Sequence, residues 1–198
     1  MSALPGLAFV LAVLTAATAA GVPIYFGRRK PGYSHLRHTI SELGEIGSPV
    51  GASVSHVGFV ATGVLLWCFL LVCVRVLPDG SAKDVILPLA LVGGGYVGGG
   101  IFRCDPGAPL FGSWRTNLHN LFGALQYIGA AGAFSMFSLS RFWYPLSELM
   151  TYAGTVVLLC LCAVSFSHPL RGLVQRIAEA AIFSGVMLMG WWVYRGCV

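Results

Sequence analysis

The sequence predicts an all-α protein, a polytopic transmembrane bundle of six helices that forms a single domain over residues 1–198. Of the 198 residues, 57% are hydrophobic and only 10% are charged, whereas about 25% of a typical soluble domain is charged. The mean hydropathy is +0.80, and the apolar residues form continuous runs without the alternation typical of barrel strands. This composition excludes a soluble enzyme, a disordered linker and a free nucleic-acid-binding domain.

Six segments are long enough to cross about 30 Å of hydrocarbon, which takes about 20 mainly apolar residues. The first runs on to Phe26 without a basic leader, so we interpret it as a membrane helix rather than a signal peptide. In the third, the glycine pairs Gly94/Gly98 and Gly95/Gly99 predict close approach by a neighbouring helix. The predicted spans are 3–26, 51–74, 85–102, 117–139, 147–166 and 177–194.

Aromatic residues support the ends of several spans, because Trp and Tyr are enriched at membrane–water interfaces. Tyr25 and Phe26 end the first segment, and Trp114 precedes the fourth. The fifth segment follows Phe142-Trp143-Tyr144, and the sixth ends in Trp191-Trp192. These clusters predict where the chain leaves the hydrocarbon.

Lys and Arg are divided unequally between the two ends of the bundle. We call the end with both chain termini side A and the opposite end side B. By the positive-inside rule, the side B loops 27–50, 103–116 and 167–176 are predicted to be cytoplasmic, with both termini on the outer side of the membrane. The bases on side A are Arg75, Lys83, Arg141 and Arg195, and the remaining eight of the twelve lie on side B.

The acids and histidines also collect on side B. All five histidines and most of the seven acids can reach that end, and ionisable residues at membrane depth are costly enough to indicate a function. We therefore expect an interfacial polar pocket there. Its candidate members are His35, His38, His56, His119, His168, Ser41, Glu42, Glu45, Asp105 and Glu179, the last at the start of the sixth span.

The first functional hypothesis is binding of a lipid head group or of a membrane partner subunit. Arginines beside His, Asp and Asn residues suit an anionic head group, and short basic loops fit membrane lipids better than nucleic acid. The predicted lipid- or partner-binding residues are Ser41, Glu42, Arg103 and Arg115, together with Asp105 and His119.

The second hypothesis is a membrane-embedded lipid-modifying enzyme that uses Asp105, His119 and His168 as acid/base groups. A zinc version would take its ligands from His56, His119 and His168 and leave one position for water. A third hypothesis is a b-type haem protein with His56 and His119 as axial ligands. The sequence has neither a HExxH pair nor a Cys-x-x-Cys pair.

Each candidate also has a structural interpretation. Asp105 precedes Pro106-Gly107 and suits a turn. Thr39 and Glu42 have the spacing of a capping box. His119 can satisfy a backbone carbonyl, whereas His56 lies in an apolar context where its ring needs a partner. These alternatives stay open at the level of sequence.

The motifs Pro31–Ser34, Thr39–Gly44 and Gly100–Gly107, with His119 after them, resemble the bacterial six-span membrane family called domain of unknown function 998. The resemblance covers most of the chain, and the positions that it marks are Ser41, Glu42, Gly44, Asp105 and His119. The Ile40–Gly44 stretch is also similar to a segment of the Frag1/DRAM/Sfk1 membrane group, which implies lipid handling. The ceramidase-like zinc hydrolases share an Asp and several histidines, but the paired histidines of their last helix have no counterpart here.

Overall fold

The computed structural model describes residues 3–166 and 169–196, and within them it contains helices and no strand. Six helical segments are long and apolar enough to cross a membrane, which confirms the predicted fold class. The helices are α1 (Leu4–Gly27), α2 (Ser41–Gly44), α3 (Gly51–Val76), α4 (Ser81–Asp84), α5 (Leu89–Ile101), α6 (Trp114–Ser135), α7 (Ser147–Val164) and α8 (Arg171–Gly196). The short helix α4 leads into α5, and together they make the third span.

Two helices begin earlier than the predicted spans, which matters for the site. The last helix begins at Arg171 and not at 177, so 171–176 is helix rather than loop. The fourth begins at Trp114 instead of 117, which puts His119 in its second turn. Hydropathy detects only the part of a helix that lies in lipid. The polar first turns of α6 and α8 therefore escaped the prediction.

The six spans form a closed ring. Each spanning helix packs against its neighbours in the chain, in the order α1, α3, α5, α6, α7 and α8, and α8 packs against α1. Part of α3, Val54–Val60, is a wider π-helical turn, a feature that is frequent at functional sites. The ring encloses a centre in which side chains from non-adjacent helices can meet.

Glycines allow α5 to approach both of its neighbours. A Cβ added to Gly95 would lie 2.6 Å from the carbonyl oxygen of Phe122 in α6, and one added to Gly63 of α3 would lie 2.5 Å from the carbonyl oxygen of Gly93. Close approach at this helix is therefore confirmed. Each predicted pair has one closely packed member. A Cβ added to Gly98 would overlap the Phe122 ring, whereas one added to Gly94 would have 3.8 Å to its nearest neighbour and one added to Gly99 would have 3.5 Å.

The first and third loops are tied together over side B. The carboxylate of Glu45 pairs with Lys30 Nζ at 2.6 Å and accepts a hydrogen bond from the Gly107 N–H at 2.6 Å. Arg103 donates through Nε to the Gly44 carbonyl at 2.8 Å. These contacts hold α2 and the neighbouring loop segments against the side B end of the ring.

Candidate functional site: a polar chamber and its interfacial pocket

A polar chamber lies inside the ring near side B. Its volume is about 60 Å³, room for about four water molecules. α6 lines it along one face, because residues seven positions apart lie two helical turns apart on the same side. The polar side chains that line the chamber are those of Ser41, Tyr96, His119, Gln126, Tyr127, Gln175 and Glu179.

Glu179 is the acceptor at the centre of the chamber. Its Oε1 accepts hydrogen bonds from Gln126 Nε2 at 2.7 Å and from the Tyr127 hydroxyl at 3.0 Å, and its Oε2 accepts one from the Tyr96 hydroxyl at 2.7 Å. Within residues 3–166 and 169–196, the ion pairs do not include this carboxylate. The sequence placed Glu179 at the start of the last span. The earlier start of α8 instead puts it in the third turn, 7% exposed.

His119 and Ser41 form a hydrogen-bonded pair on the opposite wall. The imidazole Nδ1 lies 3.1 Å from the carbonyl oxygen of Gly99 and 2.9 Å from that of Phe102, and Nε2 lies 2.9 Å from Ser41 Oγ. Carbonyl oxygens only accept, so we assign the imidazole proton to Nδ1. The lone pair of Nε2 then faces the hydroxyl of Ser41.

An interfacial pocket of about 240 Å³ adjoins the chamber. The two cavities share Ser41, His119, Gly123, Tyr127 and Gln175 as lining residues. The outer part of the pocket is amphipathic: Leu161 of α7 and the 87% exposed Phe111 are apolar, whereas Arg171 of α8 is cationic.

A lateral groove of about 500 Å³ adjoins the chamber on the other side, between α1 and α8. Ile40 and Glu179 line both cavities, and the other groove walls are largely apolar. Exposed residues such as Val13 and Ala17 place the groove on the outer surface of the bundle. The chamber is thus bordered by one cavity at the interface and by another on the apolar face.

Arg171 carries an unpaired donor in the interfacial pocket. Its Nη1 donates to the Ala108 carbonyl at 3.3 Å, whereas its Nε is buried and has no hydrogen-bond partner among the described residues. Arg176, one turn further along α8, is fully engaged: it donates to the carbonyls of His35 and His38 at 2.7 and 3.0 Å and to Tyr33. Arg171 therefore has an N–H donor without an acceptor among the described residues, whereas Arg176 donates to several acceptors of the first loop.

Two of the predicted binding residues bond within the side B loops. Glu42 Oε1 accepts from the Thr39 N–H at 2.7 Å, and the Glu42 N–H donates back to Thr39 Oγ1 at 3.3 Å. This reciprocal pair is the capping-box arrangement. Arg103 donates to the carbonyls of Gly44 and Glu45. Neither Glu42 nor Arg103 lines the chamber or the interfacial pocket.

Asp105 and Arg115 also lie outside these two cavities. The carboxylate of Asp105 accepts from the Ser113 N–H at 2.7 Å and from its hydroxyl at 2.9 Å, directly before α6 begins. The Ser113 N–H, with the hydroxyls of Thr116 and Ser113, lowers the pKa of Asp105. Arg115 is exposed, with its guanidinium carbon 5.2 Å from the ring centre of Trp114.

The predicted histidine ligands are not all brought together. His56 is exposed, and its Nδ1 lies 2.8 Å from the carbonyl oxygen of Ala52 in its own helix, whereas His119 is buried in the ring. His168 lies outside the described residues, so its catalytic and metal-binding roles stay predictions. Among residues 3–166 and 169–196, His, Cys, Asp and Glu form no group of three that could hold a metal ion. The haem hypothesis stays a prediction, for which His119 would have to release Ser41.

Sequence reasoning missed Tyr96, Gln126, Tyr127 and Arg171 as members of the site. The available signal was spacing: Gln126 lies seven residues after His119 in an apolar segment, and so shares its helix face. Tyr96 gave no comparable signal, since a Tyr in a glycine-rich helix is as readily explained by packing.

The ring of spanning helices and its buried polar chamber define an integral membrane protein of the six-span helical class. The chain belongs to the DUF998 family, whose model, described as "Protein of unknown function (DUF998)", matches residues 7–192. The match begins within the first span and ends within the sixth, and the predicted resemblance to this family is thereby confirmed. No curated protein and no solved structure matches the chain. Likeness to the Frag1/DRAM/Sfk1 group stays a prediction.

Proposed function

We propose that this protein binds an anionic membrane lipid, with the head group in the interfacial pocket beside Arg171. The observation that carries the proposal is the buried Nε of Arg171, which has no hydrogen-bond partner among the described residues. Burying a donor of a charged group without an acceptor is costly. A phosphate oxygen in the pocket would supply the acceptor.

The guanidinium of Arg171 would pair better with a phosphate than with the Ala108 carbonyl that it contacts. Arg presents donors in a planar fork that pairs with two phosphate oxygens at once. Among the described residues, Arg171 donates to the Ala108 carbonyl, at 3.3 Å, which is long for an N–H···O bond. Neither ion pair of the described residues includes Arg171. Its charge is therefore available to an anion.

The pocket walls suit the remainder of a lipid molecule. Leu161 and Val164 at the end of α7 provide apolar surface for the start of an acyl chain. Asn120 and Ser41 provide polar surface at the depth of the glycerol and ester groups. A head-group pocket was predicted on this side from the sequence, and the proposal retains Ser41 from that prediction and adds Arg171.

The lipid would come from the side B leaflet. The excess of Lys and Arg on side B supports the placement of this leaflet on the cytoplasmic face of a bacterial inner membrane. Arg115 and Trp114, exposed at the start of α6, offer that surface further interfacial contacts. They would serve equally for a partner subunit, the alternative predicted from sequence.

The test is the retention of phosphatidylglycerol by the full chain, measured by native mass spectrometry after exchange from vesicles of phosphatidylglycerol and phosphatidylcholine. Arg171→Gln is expected to weaken retention of phosphatidylglycerol about tenfold, the loss of one charge-assisted hydrogen bond. Arg37→Gln is the matched control, because it removes an exposed arginine from the same side that lines none of the three cavities. Equal retention by Arg171→Gln and the wild type, or an equal loss in both variants, would overturn the proposal.

A further inference from the structure

We propose that Ser41 is a nucleophile, activated by His119 as general base, that cleaves an acyl ester of the bound glycerophospholipid. The ester substrate rests on the proposed function, whereas the nucleophile rests on the geometry of the pair alone. Ser41 Oγ lies 2.9 Å from Nε2 of His119, within the 2.6–3.2 Å reach required of a nucleophile and its base.

The imidazole is held in the tautomer that a general base needs. Two backbone carbonyls, of Gly99 and Phe102, accept from Nδ1 at 3.1 and 2.9 Å. This leaves the Nε2 lone pair directed at the hydroxyl of Ser41. In serine hydrolases a third group orients the base in the same way. Here the orienting group is the end of α5, so no carboxylate is needed.

Neither helix capping nor the orientation of the imidazole depends on the contact between Ser41 and His119, although the hydroxyl also satisfies the buried Nε2. A serine at the start of a helix commonly caps it with its hydroxyl, but the first turn of α2 is already capped by Thr39 and Glu42. The ring of His119 is likewise fixed by the two carbonyls. The hydroxyl of Ser41 is thus directed at the imidazole although local structure does not require it there.

The pair is accessible from the pocket that we assign to the lipid. Ser41 and His119 both line the interfacial pocket, together with Arg171. Ser41 is half-buried, whereas His119 is only 7% exposed. A lipid that pairs its phosphate with Arg171 would place its glycerol esters on the wall where Ser41 lies, and the base behind it would be shielded from bulk water.

The reaction would proceed in two balanced steps. Ser41 Oγ forms a bond to the ester carbonyl carbon while its proton moves to Nε2 of His119. The bond between the carbonyl carbon and the glycerol oxygen then breaks. The glycerol alkoxide that leaves takes the proton from His119 and becomes an alcohol. In the second step water attacks the acyl-Ser41 ester and gives a proton to His119. That proton returns to Ser41 Oγ as a fatty acid leaves.

The direct test is labelling by an alkyl fluorophosphonate, which reacts with activated serines, followed by peptide mass spectrometry of the full chain. We expect one adduct on Ser41, lost in Ser41→Ala. In His119→Asn, whose amide can still donate to the two carbonyls but cannot act as a base, labelling is expected to slow by 10²–10⁴-fold. Ser165→Ala is the matched control, because Ser165 lines the same pocket while its hydroxyl bonds to Leu161 of its own helix at 2.8 Å.

The outcomes separate this proposal from lipid binding. Ser41→Ala is expected to retain phosphatidylglycerol but to release no fatty acid from phosphatidylglycerol vesicles. A folded wild-type protein that is not labelled at Ser41, or that is labelled equally fast in His119→Asn, refutes the nucleophile and leaves lipid binding intact. Labelling of Ser41 together with unchanged lipid retention in Arg171→Gln refutes the lipid site and leaves the nucleophile intact.

Discussion

Replacing Glu179 by alanine tests how much the polar chamber contributes to stability. The substitution removes the acceptor of three hydrogen bonds, from Tyr96, Gln126 and Tyr127, at 2.7, 2.7 and 3.0 Å. Hydrogen bonds between membrane helices contribute about 0.6–1.7 kcal/mol each. The expected loss of unfolding free energy is therefore about 2–5 kcal/mol.

Glu179→Gln provides a sharper comparison. The amide oxygen can still accept from Gln126 and Tyr127, and the new NH₂ group can face Tyr96, whose hydroxyl can turn and accept. We expect this variant to lose less than about 1 kcal/mol. Both variants lack the carboxylate charge, so the contrast separates the loss of charge from the loss of hydrogen bonds and side-chain volume.

The assay is unfolding of the detergent-solubilised protein by sodium dodecyl sulfate, followed by tryptophan fluorescence. Glu148→Ala, at an exposed glutamate of α7, is the control and should stay within about 0.5 kcal/mol of the wild type. Equal losses in Glu179→Ala and Glu179→Gln would refute the reasoning from paired donors. An unchanged Glu179→Ala would show that the carboxylate does not hold the helices together.

Two further predictions concern packing and reactivity. Gly95→Ala should lower unfolding free energy by about 1–3 kcal/mol through overpacking, because its Cβ would lie 2.6 Å from the Phe122 carbonyl oxygen. Gly94→Ala, with 3.8 Å of space, should be neutral or stabilising, and the reverse order in thermal melting would contradict the packing described. Burial, with a smaller effect of Glu45, raises the pKa of the Cys104 thiol to about 12. In a variant whose only cysteine is Cys104, maleimide labelling should therefore stay slow at pH 7 and at pH 9 and become fast in dodecyl sulfate; fast labelling of the folded protein would disprove the burial.

The spans could be predicted from the sequence because lipid imposes one strong requirement, a long apolar helix, that composition reports directly. The helix starts were less predictable. Arg171 and Trp114 begin helices whose first turns lie in the interface, and there helix formation depends on capping and packing rather than on hydropathy. Because α8 begins at Arg171 and not at 177, Glu179 lies in its third turn, inside the ring, rather than at the predicted helix start.

The site was predictable in location but only partly in membership. Clustering on side B predicted a polar pocket, and Ser41 and His119 do line one. Local patterns also indicated a capping box at Glu42 and a turn at Asp105. Glu42 does accept from the Thr39 N–H, and the Ala108 N–H donates to the Asp105 carbonyl at 3.1 Å. Which polar side chain points into the ring, however, depends on the rotation of each helix. Rotation is set by packing with neighbours that one sequence does not specify.

The closed ring has a consequence for the order of assembly during synthesis. The donors of Tyr96, Gln126 and Tyr127 lie on the third and fourth spans, whereas their common acceptor, Glu179, lies on the sixth. A chain that is made from its N-terminus therefore holds three unpaired donors in the bilayer until α8 arrives. Docking of α8 against α1 and α7 then pairs all three at once. The last span thus completes the hydrogen bonding of the chamber, and a chain that stops short of it leaves these three donors without their common acceptor.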